Sequence, residues 1–202
     1  MPPDTSPGKT EWRRTLRARR RAVEPGAALA AAASAAQHLA ASRPWRDARH
    51  IALYRAADGE LSTDAIAAQA RLDGKRVYLP VVDGRMLRFR EWRRDDELVP
   101  NRFAIGEPGP DAPSPAQLDL VLLPVVGWTA GGFRLGMGGG FYDRFLADIG
   151  GLPPWRIGVA YERQREERLE TLRETFDQDL DAVLTELGLR VIATASGVPR
   201  PP

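Results

Sequence analysis

The 202-residue chain contains no cysteine. That excludes disulfides, thiolate nucleophiles and cysteine-bound metal. Histidine is nearly as scarce: His38 and His50 are the only two, too few for a histidine-rich metal site. Lysine is confined to Lys9 and Lys75, so almost all of the positive charge is arginine. No apolar run reaches the roughly 18 residues that a membrane-spanning helix needs. Residues 1–8, MPPDTSPG, are not followed by the apolar stretch of a secretory signal. These absences lead us to expect a cytoplasmic protein with no membrane partner. The formal net charge is only +2, although Arg13, Arg14, Arg17, Arg19, Arg20 and Arg21 crowd together near the start. Near-neutral charge and the lack of RNA-stacking motifs argue against a nucleic-acid partner.

What is present is a core. Hydrophobic residues make up 43% of the chain, and its length suits one domain. We expect that domain at 9–193, with disordered tails at 1–8 and 194–202. Trp12, Leu16 and Val23 fall at near-helical spacing and predict an amphipathic helix stopped at Pro25-Gly26. An alanine-rich helix over about 27–41 follows, with Leu29, Ala32, Ala36 and Leu39 on one side and its end marked by Pro44. Strands then alternate with helices. IALY (51–54), RVYLPV (76–81), MLRFREW (86–92), LDLVLLPVV (118–126), RIGVAY (156–161), AVLT (182–185) and LRVIA (189–193) read as strands. Segments 62–72, capped by Ser62 or Thr63, and 141–149 read as helices, and 162–176 is compatible with a further one. The segment 93–118, with many Pro, Gly and Asp, is mostly loop. The pattern predicts an α/β fold: a Rossmann-like, mostly parallel sheet with helices on both faces, preceded by two N-terminal helices.

The chemistry concentrates in RLGMGGGFYDR, residues 134–144. Four of the five residues from Gly136 to Gly140 are glycine, placed between a buried strand and a helix. Ligands of such sheets bind at the carboxyl ends of the strands. Glycines there let backbone N–H groups approach phosphate oxygens, and the next helix adds its positive dipole end. A tight turn needing positive φ would use two glycines. Four of them, flanked by Arg134 and Arg144, favour phosphate binding. The spacing is neither that of a Walker loop nor that of a dinucleotide-binding loop. Asp143 falls in the first turn of the helix, where it suits the dipole or could reach a Mg²⁺ that bridges phosphates.

With those residues in view, the chain resembles the 5-formyltetrahydrofolate cyclo-ligase family. Arg134 to Asp143 match its R-L-G-x-G-x-G-Y-Y-D hallmark, with Phe141 in place of the first Tyr. Lys9, Arg13, Leu16 and Arg19 fit the N-terminal pattern, and YRAADGELSTDAI (54–66), GKRVYLPVV (74–82), FAIGEP (103–108) and FDQDLDAVLTE (176–186) fit further segments in order. The resemblance runs from about residue 9 to 193. It implies conversion of 5-formyltetrahydrofolate to 5,10-methenyltetrahydrofolate with ATP as co-substrate and Mg²⁺ as cofactor, in a monomer. It also implies Arg134 and Tyr142 as catalytic residues. ATP would be bound by Lys9, Arg13, Arg134, Gly136, Gly138, Gly139, Gly140, Phe141 and Tyr142. Folate would be bound by Arg55, Glu60, Met137, Gly138, Gly139, Gly140, Phe141 and Tyr142, with Glu60 accepting from pterin N–H groups. Asp143 and Asp177 would hold the metal. Arg14, Arg17, Arg20 and Arg21 are expected to form a solvated basic face.

Family members often carry L-P-x-E-x-H-D before the second acid. TLRETFD (171–177) keeps Glu174 and Asp177 but lacks the Pro and the His. Asp177, Asp179 and Asp181 therefore all stand as candidates, Asp181 also suiting entry into a strand. Other functional readings are an ATP-binding member with altered activity, a sugar-phosphate isomerase on a similar scaffold, and a nucleic-acid module using the arginine block.

Overall fold

The computed structural model describes residues 7–150 and 153–192. The expected tails lie outside these residues except for Pro7 and Gly8, and the Gly8 carbonyl accepts from the N–H groups of Glu11 and Trp12. Helix α1 (Lys9–Arg21) buries Trp12, Leu16 and Arg20, a stripe at i, i+4 and i+8. Helix α2 (Pro25–Ala40) begins at Pro25, so this proline starts the second helix with its preset φ as well as separating it from the first. Its packed face is Ala31, Ala32, Ala35, Ala36 and Leu39. Leu29, expected on that face, is instead exposed. A short helix α3 (Arg43–Asp47) is capped by Ser42, whose hydroxyl accepts from the Trp45 N–H at 3.3 Å. Pro44 thus opens a helix of its own.

The remaining elements are β1 (His50–Ala52), α4 (Asp64–Leu72), β2 (Arg76–Asp83), β3 (Met86–Glu91), β4 (Val99–Pro100), β5 (Gly106–Glu107), β6 (Leu120–Pro124), β7 (Gly127–Trp128), β8 (Arg134–Leu135), α5 (Phe141–Asp148), β9 (Trp155–Val159), β10 (Ala182–Thr185) and β11 (Gly188–Val191). Residue 193 of the last expected strand lies outside the described residues. Thr63 does not cap α4 with its side chain; its hydroxyl donates to the Tyr54 carbonyl at 2.6 Å, and Ser62 Oγ accepts from the Asp64 N–H at 3.1 Å.

Seven strands form one sheet in the order β11-β10-β9-β6-β1-β2-β3. β10, β9, β6, β1 and β2 are mutually parallel, while β11 and β3 close the two edges antiparallel. Side chains alternate between the faces. Ile51, Val77, Leu120, Leu122 and Ile157 meet α2, α3 and α4 on one face, where the small alanines of α2 permit close approach. Ala52, Tyr78, Val121, Leu123 and Val183 meet α5 on the other. Among the described residues no helix is long and apolar enough to cross a membrane. The chain leaves β1 toward β2 on one side and later returns to β6 on the other. The crevice beyond the carboxyl ends of β1 and β6 is therefore the topological switch point, where sheets of this kind bind ligands.

Segment 162–176 is not the expected α-helix. It forms 3₁₀ turns over Glu162–Gln164 and Glu167–Leu172. The reason is competition for its hydrogen bonds. Buried Gln164 donates to the carbonyls of Val125 and Val126 at 3.0 and 2.8 Å, and the Glu166 N–H donates to the Trp128 carbonyl at 2.9 Å. These contacts tie the segment to β7 and override its charged, helix-forming composition.

Helix α1 is not wrapped around the sheet. It lies over the strand ends, with Trp12 and Leu16 packed on Val126, Phe133, Leu135 and Leu169. Gly127 allows this approach, since a Cβ there would meet Leu16 Cδ1 at 2.4 Å and Leu169 Cδ1 at 2.8 Å. The other anchor of α1 is the turn 57–60. Asp58 and Gly59 both have positive φ (52° and 75°), and the Glu60 N–H closes the turn on the Ala57 carbonyl at 3.0 Å. Asp58 accepts from Arg17 Nε and Arg20 Nη2, each at 2.7 Å, and pairs with Arg21. The expected solvated face is thus largely an ion-pair cluster: Arg20 is only 1% exposed and Arg17 is half-buried, while Arg14, paired with Glu11, and Arg21, paired with Asp58, are exposed.

Burial opposes ionisation of Asp58, but hydrogen bonds from Arg17, Arg21 and Arg20 outweigh it and hold the carboxyl well below its ordinary 3.8. A depressed folded-state value adds stability above the unfolded value and loses it as pH falls below. Asp58→Asn keeps the tolerance for positive φ and removes the charge. It should be less stable by about 2–3 kcal/mol at pH 7. Denaturant titrations at a series of pH values should show that gap narrowing below about pH 4; a gap independent of pH would contradict this account.

Candidate active site

Strands β7 and β8 form a small antiparallel ribbon, Trp128 opposite Arg134, that the sequence pattern did not indicate. It delivers Arg134 into the crevice from below, with its side chain 4% exposed. Arg134 Nη2 donates to Asp143 in the first turn of α5, while its buried Nε has no partner. A buried guanidinium N–H without an acceptor is costly.

The loop that follows answers the question of the four glycines. Gly138 and Gly140 have φ of 97° and 62°, and Gly140 is the left-handed N-cap of α5. Gly136 and Gly139 do not require positive φ. A Cβ on Gly139 would strike the Phe141 ring at 2.9 Å, whereas on Gly136 it would only meet Arg134 Nη1 at 3.5 Å. Two glycines therefore serve the turn and one serves ring clearance. Gly136 is left with its carbonyl as its visible role, accepting from Arg13 Nε at 2.9 Å. Met137, Gly138 and Gly139 are exposed along the rim, and Phe141 packs edge-on against Phe103, rings 6.2 Å apart.

The segments that carry the two expected metal acids, 34 residues apart in the chain, touch. The Gln178 N–H, next to Asp177, lies 3.4 Å from Asp143 Oδ1. Asp177 accepts from Lys9 Nζ at 3.4 Å and from the Glu174 N–H at 2.8 Å, and Lys9 also pairs with Glu174 at 2.5 Å. The other candidate acids are otherwise engaged. Asp179 pairs with Arg173. Asp181 is buried and grips Arg156 through its backbone N–H and guanidinium at 2.8–3.1 Å, the strand-entry role. No group of three or more His, Asp or Glu converges among the described residues.

Glu60 sits at the other side of the crevice, held by the Ala57 N–H at 3.0 Å and Arg20 Nη1 at 3.4 Å. Burial pushes its carboxyl up, and the Ala57 N–H and Arg20 oppose the shift. Tyr142, half-buried on α5, has its hydroxyl pushed up by burial and further by the charge of Glu60, with Arg134 opposing. Glu60, Tyr142 and Arg134 thus share one electrostatic environment. Arg55 does not join them: its partners are Asp64 at 2.5 Å and the Trp92 ring at 5.2 Å, on the α4 side. A cavity of about 490 Å³ between β3, α5 and segment 114–118 contains none of the expected residues. Sequence reasoning missed Arg20 and Asp58; the signal was an Asp-Gly turn that could face a row of arginines one helical turn apart.

The chain matches the family model described as 5-formyltetrahydrofolate cyclo-ligase family over residues 5–186. It is 37% identical over 177 residues to the 5-formyltetrahydrofolate cyclo-ligase of Escherichia coli K12, covering 84% of this chain and 96% of that protein. The enzyme of the same name from Haemophilus influenzae is 37% identical over 144 residues, 68% and 77% of the two chains. The solved structure of Aquifex aeolicus 5,10-methenyltetrahydrofolate synthetase superposes with a TM-score of 0.79 at 26% identity, covering 93% of this chain and 94% of that one.

The glycines make separable predictions. Gly138→Ala should lose about 1–2 kcal/mol from its positive φ. Gly136→Ala should stay within about 0.5 kcal/mol of the parent. Thermal unfolding that ranks the two in the opposite order would contradict the division made above.

Proposed function

Because the chain belongs to the 5-formyltetrahydrofolate cyclo-ligase family and is a ligase of that kind, we propose that it makes 5,10-methenyltetrahydrofolate from 5-formyltetrahydrofolate in an ATP- and Mg²⁺-dependent step. The observation that carries this reading is the junction made by α1. One helix places Arg13 on the glycine loop, Lys9 beside Asp177 and Arg20 beside Glu60. A cation-lined phosphate cradle and an acid-lined pocket therefore open into one crevice.

The reaction needs little covalent help from a protein. The formyl oxygen is a poor leaving group. Attack by that oxygen on the γ-phosphorus releases ADP and leaves a phosphorylated carbon–oxygen bond. N10 of the folate then attacks the activated carbon, the ring closes and phosphate departs. Positioning and charge stabilisation do the rest, which suits a site of arginines, backbone N–H groups and carboxylates. Arg134, next to the loop and paired with Asp143, is proposed to hold the triphosphate together with Lys9, Arg13 and the 136–142 loop. Arg134 and Tyr142 border the transferred group. Glu60 would accept from the pterin, with Met137 and Phe141 against the ring system and Arg55 further out. Asp143 and Asp177 would hold Mg²⁺, which usually takes one or two protein carboxylates beside phosphates and water. When bound, the ion would offset the developing charge on the phosphates.

Two measurements test this. The absorbance of methenyltetrahydrofolate should rise only when 5-formyltetrahydrofolate, ATP and Mg²⁺ are all present; turnover without nucleotide, or none from folded protein under full conditions, removes the assignment. In a Mg²⁺ titration, Asp143→Asn and Asp177→Asn should each lower the rate on the order of tenfold or more at low Mg²⁺, with partial recovery at high Mg²⁺. Sharing one ion, the two should combine non-additively. Full activity of either variant would leave that residue a purely structural acid.

A further inference from the structure

Arg20 lies on the buried stripe of α1, one turn beyond Leu16. At 1% exposure its charge must be paired. Its Nη2 and Nε reach Asp58, at 2.7 Å to Oδ2 and 2.9 Å to the carbonyl, and its Nη1 reaches Glu60 Oε1 at 3.4 Å. The two carboxylates are not equally served. Asp58 also has Arg17 and Arg21, so its link to α1 survives the loss of one arginine. Among the described residues, Glu60 has Arg20 as its only ion-pair partner.

The charged and titratable groups that face Glu60 come from several elements. From α1 they are Arg20 and, at longer range, Arg17; from its own turn, Asp58; from the end of β1, Tyr54; from α5, Tyr142. Asp58 and burial disfavour a charge on Glu60, and Arg20, Arg17 and the Ala57 N–H favour it. Tyr54 turns away, its hydroxyl donating to the Leu61 carbonyl at 2.6 Å. Arg20 is thus the one cation that both neutralises Glu60 and fixes where its carboxylate points.

We propose that Arg20 is a positioning residue for folate binding, holding the Glu60 carboxylate ionised and oriented in the crevice without itself touching the substrate. This rests on the reading of Glu60 as the pterin acceptor. A guanidinium suits the task better than an ammonium, because its planar fork can reach Asp58 and Glu60 at once.

The test uses the full chain with Arg20→Gln, Arg20→Lys, Glu60→Gln and the double variant Arg20→Gln/Glu60→Gln. Steady-state constants for 5-formyltetrahydrofolate and for ATP are measured against pH. The ionisation of Glu60 is followed separately by carboxyl ¹³C NMR, its resonance assigned as the one missing in Glu60→Gln. Arg20→Gln should raise the KM for 5-formyltetrahydrofolate roughly tenfold, the loss of one charge-assisted contact, and leave the KM for ATP nearly unchanged. The acid limb of kcat/KM for folate and the Glu60 titration should both move to higher pH. In the Glu60→Gln background, Arg20→Gln should add nothing to the folate KM. Arg20→Lys, which retains the charge, should move both readouts in the same direction by less, and it carries the test if Arg20→Gln does not fold. A purely structural arginine would lower thermal stability without moving the titration. Glu60→Gln without effect on the folate KM overturns the reading of the pocket. A Glu60→Gln that weakens folate, beside arginine variants that move neither the acid limb nor the titration, overturns the role of Arg20 alone.

Discussion

A buried guanidinium fixes the architecture of this crevice. Arg20 is buried on the inner face of α1, and its charge is tolerable there only because the 57–60 turn offers two carboxylates and a carbonyl. That requirement constrains both partners. The turn needs Asp-Gly to reach positive φ at two successive residues, and Gly59 lets α1 come within 3.2 Å of where a Cβ would stand. With that end of α1 fixed and Trp12 and Leu16 packed beneath it, its first turns bring Arg13 to the glycine loop and Lys9 to Asp177. One short helix therefore sets the distance between two loops that are almost 80 residues apart in the chain.

Much of this was legible in the sequence, for identifiable reasons. The parallel sheet follows from apolar strands alternating with helices, since burial on both faces leaves little else to pattern them. Arg134, the glycine loop and Asp143 are contiguous, so local chain geometry alone brings them together. Asp143 and Asp177 are not contiguous; their order along the family motifs suggested the pairing, and the structure brings their two segments into contact through the Gln178 N–H. What escaped was decided by tertiary competition. Leu29 follows the helical period but faces outward because the alanines of α2 already fill the approach to the sheet. Segment 162–176 has a helix-forming composition, yet Gln164 and the Glu166 N–H are drawn to the carbonyls of Val125, Val126 and Trp128. The arginine block reads as a solvated face because sequence does not show that an acidic turn lies opposite it.

The cations and acids of the crevice are matched to one another. Arg134 is paired with Asp143, and Lys9 with Glu174 and Asp177. Left unpaired, these groups would repel or bear desolvation costs in a partly enclosed site. For the proposed function the same pairing poses a problem of exchange. A nucleotide triphosphate brings acceptors for Lys9 and Arg134, and a divalent cation brings a partner for the two aspartates. Each ion pair can then separate without leaving either member alone, provided nucleotide and cation arrive together. Either one alone would replace only half of the contacts it disrupts. Under the proposed function, charge matching would therefore favour an anion accompanied by its metal over either species alone, whatever the shape of the pocket.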